Sequence, residues 1–301
     1  MRVLHIGQRK TGTSWLQAGA KVAADAGVLR YSHRSLIDTS EERTRARKMA
    51  TSEYCTIADA LPTETDLPVF ASLETLITLD QPTLAAEVAR VWPDAQILVT
   101  TRGPQGYMQS SFNNLALNGG TTSPMVFARR FRRHMMLSHN LDQVVAAWTA
   151  ALGPGRITFV PFELLRTTPD TFVDSVEALI GTSLRPYLSA HARHPSPPPA
   201  HLALLRELNA ELAQEAPGFA SSKVWNRFVK ATTLAVALAH KAGLLAGQSD
   251  ESPRKPSPLP ELPDGTLDAL AAQMTVLRNM PLYQPFLPLY GLTPATATAM
   301  D

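Results

Sequence analysis

Arg2-Val3-Leu4-His5-Ile6-Gly7-Gln8-Arg9-Lys10-Thr11-Gly12-Thr13-Ser14-Trp15-Leu16-Gln17 decides the reading of this chain. Val3, Leu4 and Ile6 make a short apolar run of β-formers, the pattern of a strand buried in a parallel sheet. Gly7 and Gly12 bracket a tight loop. Thr13 and Ser14 stand where a helix opens, and Trp15, Leu16, Ala20 and Ala23 follow at helical spacing. A strand, a glycine-bearing turn and a helix N-terminus direct backbone N–H groups, and the positive end of the helix dipole, at one point. The stretch therefore predicts a phosphate site. The competing reading of the same residues is an ordinary strand–turn–helix with a solvated lysine.

The position of the lysine separates two kinds of phosphate loop. A Walker A loop runs Gly, four residues, Gly, Lys, then Ser or Thr. Here Gly7, Gly12 and Ser14 fit that spacing, but Thr13 holds the lysine position and Lys10 lies two residues before the second glycine. Lys10, Gly12, Thr13, Ser14, Trp15 and Leu16 together resemble the 5′-phosphosulfate loop of sulfotransferases that use 3′-phosphoadenosine-5′-phosphosulfate (PAPS). The resemblance implies that Arg9, Lys10, Thr11, Gly12, Thr13, Ser14 and Trp15 bind the cofactor, with Lys10 also acting in catalysis. It also offers Trp15 as an adenine-stacking ring, against which stands a core role on the first helix.

A second motif supports the same family. Gln96-Ile97-Leu98-Val99-Thr100-Thr101 has the strongest strand signal of the chain, and Arg102 follows it, with Ser110 eight residues on. Sulfotransferases place an Arg and a Ser at this spacing on the 3′-phosphate of the cofactor. An Arg suits that dianion because its planar fork donates two parallel hydrogen bonds. Without the resemblance, the same two residues read as an Arg at a strand end and a Ser on a helix face. A third feature is Glu74, just after the strand Leu67 to Ser72. Carbohydrate and bacterial members carry a glutamate there as catalytic base; the alternative is an acid complementing a helix dipole. Phe162, after the strand Arg156 to Val160, matches an aromatic that lies near the adenine in the family, without its hydroxyl. The Arg-Lys-Gly that completes the 3′-phosphate site in many members is missing, and Arg254-Lys255-Pro256 reads as an exposed loop or as a substitute for it.

Strands alternating with helices predict an α/β fold, a P-loop-like parallel sheet flanked by helices, with a mainly helical C-terminal third. Helices are expected at 14–26, 81–91, 104–117, 124–137, 141–151, 169–180, 200–216, 224–245 and 267–280. Leu204, Leu205, Leu208 and Leu212 are expected on one side of the seventh. Residues 30–68 read as polar and irregular, a lid or acceptor segment or a solvated helix. The chain of 301 residues is read as one sulfotransferase domain, a nucleotide-binding core at 1–190 with a Pro-rich helical extension at 191–301 packed on it.

With 45% hydrophobic and 18% charged residues the chain can bury a sizeable core, and a net charge of +2 gives no general pull toward nucleic acid. The basic run Arg129-Arg130-Phe131-Arg132-Arg133-His134 lacks the aromatic interleaving of single-strand binders. It reads as a solvated helix face or as a binder of an anionic acceptor. Cys55 is the one cysteine, so no internal disulfide is possible. No secretory leader or membrane span is read, and a cytoplasmic bacterial enzyme is expected. His191 and His194 are too isolated to serve as metal ligands, and no metal is expected.

The function that the resemblance implies is transfer of a sulfuryl group from PAPS, leaving PAP, to a hydroxyl of a small-molecule or glycan acceptor. The family likeness is to bacterial exopolysaccharide and carbohydrate members, through the stretch 200–209. Carbohydrate, lipid and secondary metabolite all stay open as acceptors, as does the oligomeric state. The rival readings are a P-loop kinase or other NTPase and a non-catalytic PAP-binding protein of the same fold.

Overall fold

The computed structural model describes residues 1–32, 61–62, 65–188, 199–215, 225, 229 and 259–294. The arginine-rich part of 30–68, the helix expected at 224–245 except for Trp225 and Val229, His191, His194 and Arg254-Lys255-Pro256 lie outside the described residues. Its contacts divide it into two compact units, one of residues 1–104, 133–192 and 265–301, the other of 105–132 and 193–264.

The first unit holds a five-stranded sheet in the order β2-β3-β1-β4-β5. The strands are β1 Arg2–His5, β2 Arg30–Ser32, β3 Val69–Ser72, β4 Gln96–Thr101 and β5 Ile157–Pro161, and every pairing is parallel. The middle three are apolar along their length: Val3, Leu4, Val69, Phe70, Ala71, Ile97, Leu98 and Val99 are all buried. This is the pattern of strands covered on both faces. Register sets His5 opposite Ser72 on one side and Leu98 on the other. The chain leaves β1 toward the β3 edge and leaves β4 toward β5, so the direction of winding reverses between β1 and β4. Ligands of open α/β sheets bind outside the strand carboxyl ends at such a reversal.

Helix α1 (Thr13–Asp25) buries Trp15, Leu16, Gly19, Ala20 and Ala23 on one stripe. Helix α2 (Gln81–Val91) starts at Asp80, whose carboxylate accepts the Thr83 N–H at 3.1 Å, and it buries Leu84, Ala85 and Val88. Helices α3 (Pro104–Ala116), α4 (Pro124–Ser138), α5 (Leu141–Leu152), α6 (Phe162–Thr167) and α7 (Pro169–Ile180) follow in chain order. The strand β2 interrupts the segment expected to be irregular. It is three residues long, polar and at the sheet edge, so it carries no alternating pattern.

The last expected helix forms only in part. Helix α9 is Thr266–Ala271 in chain order, a 3₁₀ turn at Thr275–Asn279 takes its place beyond that, and a further 3₁₀ stretch, Pro281–Tyr290, follows. Pro281, Pro285 and Pro288 have no N–H to give and hold the backbone in short turns. Asp142 fastens this tail by accepting from Thr275 Oγ1 at 2.7 Å and from Val276 N at 2.9 Å.

In the second unit, helix α8 (Pro199–Glu215) buries Leu202, Ala203, Leu205 and Asn209. Leu204, expected on that stripe, is 41% exposed: the buried face follows 202, 205 and 209 instead. Leu205, Trp225 and Val229 form a core cluster with Leu117, Leu208 and Leu212 against it. Asn209 is satisfied inside it, donating to the Ala116 carbonyl at 2.8 Å and accepting from Trp225 Nε1 at 2.9 Å. Among the described residues no helix is long and apolar enough to cross a membrane.

Candidate active site

The loop after β1 stays zipped to β4. Ile6 N donates to Leu98 O at 3.0 Å and Gln8 N to Thr100 O at 2.8 Å. Gly7 must be glycine here, because a Cβ would lie 2.1 Å from Thr100 Oγ1 and 2.6 Å from His5 Nε2. The turn closes through Thr11, whose hydroxyl donates to Gln8 O at 2.5 Å. Lys10 takes a left-handed backbone (φ 65°), which among the described residues no other non-glycine residue does. Gly12 shares that region (φ 75°) and caps α1, with its carbonyl accepting from Trp15 N at 3.0 Å and Leu16 N at 3.2 Å. The N–H groups of Thr13 and Ser14 precede the first helical bonds and have no acceptor within the helix. No acid occupies the first turn of α1, so the dipole's positive end is not neutralised there. Ser14 and Arg9 are exposed, Lys10 is half-buried, and Trp15 is buried on the inward face of the helix.

Arg102, at the end of β4, meets this loop. Its Nη1 donates to the Lys10 carbonyl at 3.2 Å, and its backbone N–H donates to Gln8 Oε1 at 2.8 Å. The guanidinium carbon stands 4.7 Å from the centre of the Phe162 ring, a cation–π distance. A Cβ on Gly12 would touch the same ring at 3.5 Å and Leu165 at 2.6 Å. Lys10, Gly12, Arg102 and Phe162 are thus brought together at the winding reversal. Burial pulls Arg102 below the ordinary arginine range, partly countered by the nearby Glu163 charge. An arginine keeps its proton in such a place. Ser110 is half-buried on α3, in the second unit.

Residues that sequence reasoning did not single out hold this arrangement. Gln8 is buried and also donates to Ser138 O at 2.9 Å. His139 Nε2 lies 3.3 Å from the Arg102 carbonyl, and burial lowers this histidine to about 4, so it is neutral at pH 7. Glu163 accepts from Gly103 N and from the Tyr290 hydroxyl, each at 3.0 Å. Thr101 Oγ1 contacts Tyr283 at 2.7 Å and Tyr290 at 3.0 Å. Tyr290 spends its proton on Glu163, so Thr101 donates to Tyr290 and Tyr283 to Thr101. Each of these groups is defined by partners far off in sequence, which no local pattern announces.

Glu74 opens the 3₁₀ turn Glu74–Thr78 directly beyond β3. Gln17 of α1 donates to its Oε1 at 3.2 Å and to Ser72 Oγ at 2.9 Å. Tyr31 of β2 lies near enough for the Glu74 charge, together with burial, to raise the phenol above its ordinary range. The three strand ends therefore present Lys10, Glu74 and Arg102 in one unit, at the strand carboxyl ends where open α/β sheets bind ligands.

Residues 82–186 match the model of the Sulfotransferase family. The match takes in β4, Arg102, Ser110 and Phe162 and begins after Lys10 and Glu74. No curated protein matches the chain. Among solved structures, a sulfotransferase from Alicyclobacillus acidocaldarius is 15% identical, covering 70% of this chain and 94% of that one, with a TM-score of 0.42. A sulfotransferase domain from the curacin biosynthetic pathway is 12% identical, covering 91% of this chain and 96% of that one, also with a TM-score of 0.42. Over residues 82–186, then, the chain carries the sequence pattern of the sulfotransferase family.

Proposed function

We propose that the chain transfers a sulfuryl group from PAPS to an acceptor hydroxyl of a carbohydrate, lipid or secondary metabolite. The family match supports sulfuryl transfer in general. The observation that carries the finer reading is the 3.2 Å contact between Arg102 Nη1 and the Lys10 carbonyl. It unites two cationic motifs 92 residues apart, as a nucleotide with phosphate at both ends needs. The residues fit such a nucleotide on further grounds: an acid-free helix N-terminus, a glycine that leaves the loop open, and an aromatic ring beside both. PAPS, when bound, supplies the sulfuryl group and departs as PAP.

In this reading Lys10 and the Thr13 and Ser14 N–H groups hold the 5′-phosphosulfate. Arg102 holds the 3′-phosphate, and Phe162 flanks the adenine; Arg9, Thr11, Gly12 and Trp15 complete the loop. Glu74 takes the proton of the acceptor hydroxyl as that oxygen bonds to sulfur, and the bond from sulfur to the bridging phosphate oxygen breaks in line. General base catalysis of this kind contributes about 10²–10⁴-fold. Lys10 and the helix N-terminus stabilise the negative charge left on the departing phosphate, the preorganised electrostatic contribution. Thr13 replaces the lysine that a Walker A loop needs, which sets the kinase reading second.

The test is incubation with labelled PAPS and a panel of glycans, lipids and small alcohols, read by mass spectrometry. A mass gain of one sulfate on an acceptor is the expected result. Mg²⁺-dependent ATP turnover without any sulfate transfer would establish an NTPase instead, and PAP binding without transfer would establish a non-catalytic protein.

A further inference from the structure

We propose that Thr11, Thr100, His5, Ser72 and Gln17 form a one-directional hydrogen-bond chain that orients the Glu74 side chain as a hydrogen-bond acceptor, with His5 and Gln17 as its positioning residues. The proposal rests on the reading of Glu74 as the base. The direction follows from how many protons each group owns. Thr11 Oγ1 spends its single proton on the Gln8 carbonyl at 2.5 Å. At the 2.7 Å contact between the two threonine hydroxyls, Thr100 is therefore the donor. That leaves Thr100 Oγ1 only acceptor capacity toward His5 Nε2 at 2.9 Å, so the imidazole carries its proton on Nε2.

His5 is fully buried, and burial lowers it to about 3, so the ring is neutral and owns one N–H. Nδ1 must then accept from Ser72 Oγ, 2.9 Å away. Ser72, its proton spent, accepts from Gln17 Nε2 at 2.9 Å. This fixes the Gln17 amide: its nitrogen, not its oxygen, faces Ser72, and the second N–H of that nitrogen points at Glu74 Oε1, 3.2 Å away. His5 is stacked against Phe70 at 6.1 Å and Phe70 against Tyr31 at 6.2 Å, so the ring cannot turn freely to reverse the chain. Among the described residues, Gln17 from α1 and the Tyr31 phenol from β2 face Glu74. The chain begins in the loop that carries Lys10 and ends at the carboxylate beyond β3, giving both ends of the reaction one frame.

Two kinds of measurement test this, one without turnover. With ¹⁵N-labelled histidine, NMR of the full chain should find His5 neutral with Nε2–H from pH 5 to 8. In sulfate-transfer kinetics, Gln17→Ala should lower kcat about tenfold and leave the KM for PAPS within twofold, as loss of one hydrogen bond to a charged group predicts. An Nδ1–H tautomer, or equal falls in PAPS affinity and kcat in Gln17→Ala, would each overturn the proposal. Because His5→Ala opens a hole in the core, Gln17, which is half-buried, is the residue to substitute. Absence of transfer by the unsubstituted protein, with the NMR result as expected, would reject the functional reading and retain the network.

Discussion

Lys10 is the residue at which stability and function are expected to pull apart. Its backbone sits at φ 65°, where a side chain crowds its own carbonyl. The left-handed conformation costs a non-glycine residue about 1–2 kcal/mol. Lys10→Ala keeps the Cβ and hence the strain, whereas Lys10→Gly removes it. Glycine also gives the unfolded chain more freedom, which offsets about 0.5–1 kcal/mol of the gain. The net expectation is that Lys10→Gly is more stable than Lys10→Ala by about 0.5–1 kcal/mol. The contact from Arg102 to the residue-10 carbonyl is a backbone one and survives in both. Binding should not distinguish them: each loses one charge-assisted contact to phosphate, about 1.5–3 kcal/mol, or roughly 10–100-fold in PAP affinity. Urea unfolding with a common slope measures the first quantity and isothermal titration with PAP the second. Equal midpoints for the two variants would refute the strain argument, and PAP affinity within threefold of the parent would refute the role of Lys10.

Gly7→Ala should destabilise by about 1–3 kcal/mol in urea unfolding, since its methyl would lie 2.1 Å from Thr100 Oγ1. Glu74→Gln should lower kcat by about 10²–10⁴-fold while PAP affinity by titration stays within threefold; a collapse of affinity would make Glu74 structural. His5 and His139 lie near 3 and 4 in the folded chain against 6.5 unfolded. The folded state therefore binds fewer protons, and stability is present above the unfolded value and lost as pH falls through the window from 6.5 toward 3–4. Each should forfeit about 2 kcal/mol between pH 7 and 5 by linkage; a urea midpoint that does not fall over that interval would contradict their burial as neutral rings. On α8, Leu204→Gln should change stability by less than about 0.5 kcal/mol, while Leu205→Ala, in the Trp225 cluster, should cost about 2–5 kcal/mol.

Local physics made much of the sheet unit readable. Val3, Leu4, Ile6 and the run Ile97 to Val99 are apolar because those strands are covered on both faces, and the helices at 81–91 and 169–180 have caps and periods written in neighbouring residues. Lys10 and Arg102 could be named because each follows its own strand. What stayed hidden is non-local. Gln8 reads as a loop residue until Ser138 and Arg102 are set against it. His5 looks like a strand residue with no task, because its partners Ser72 and Thr100 are 67 and 95 positions away. The strand Arg30–Ser32 is too short to show a period, and the helix expected to reach Met280 stops at Ala271 and continues as a 3₁₀ turn at Thr275–Asn279. Leu204 and Leu205 cannot both face one core, and only tertiary packing chooses between them.

The account stands most directly on a comparison of two nucleotides in one titration. PAP and adenosine 5′-phosphate differ only in the 3′-phosphate that Arg102 is proposed to hold. PAP should bind at least about 30-fold tighter, the worth of roughly 2 kcal/mol from a charge-assisted contact. Arg102→Ala should erase most of that difference and leave adenosine 5′-phosphate affinity nearly unchanged. Equal affinity of the parent protein for the two nucleotides would contradict a site built for phosphate at both ends.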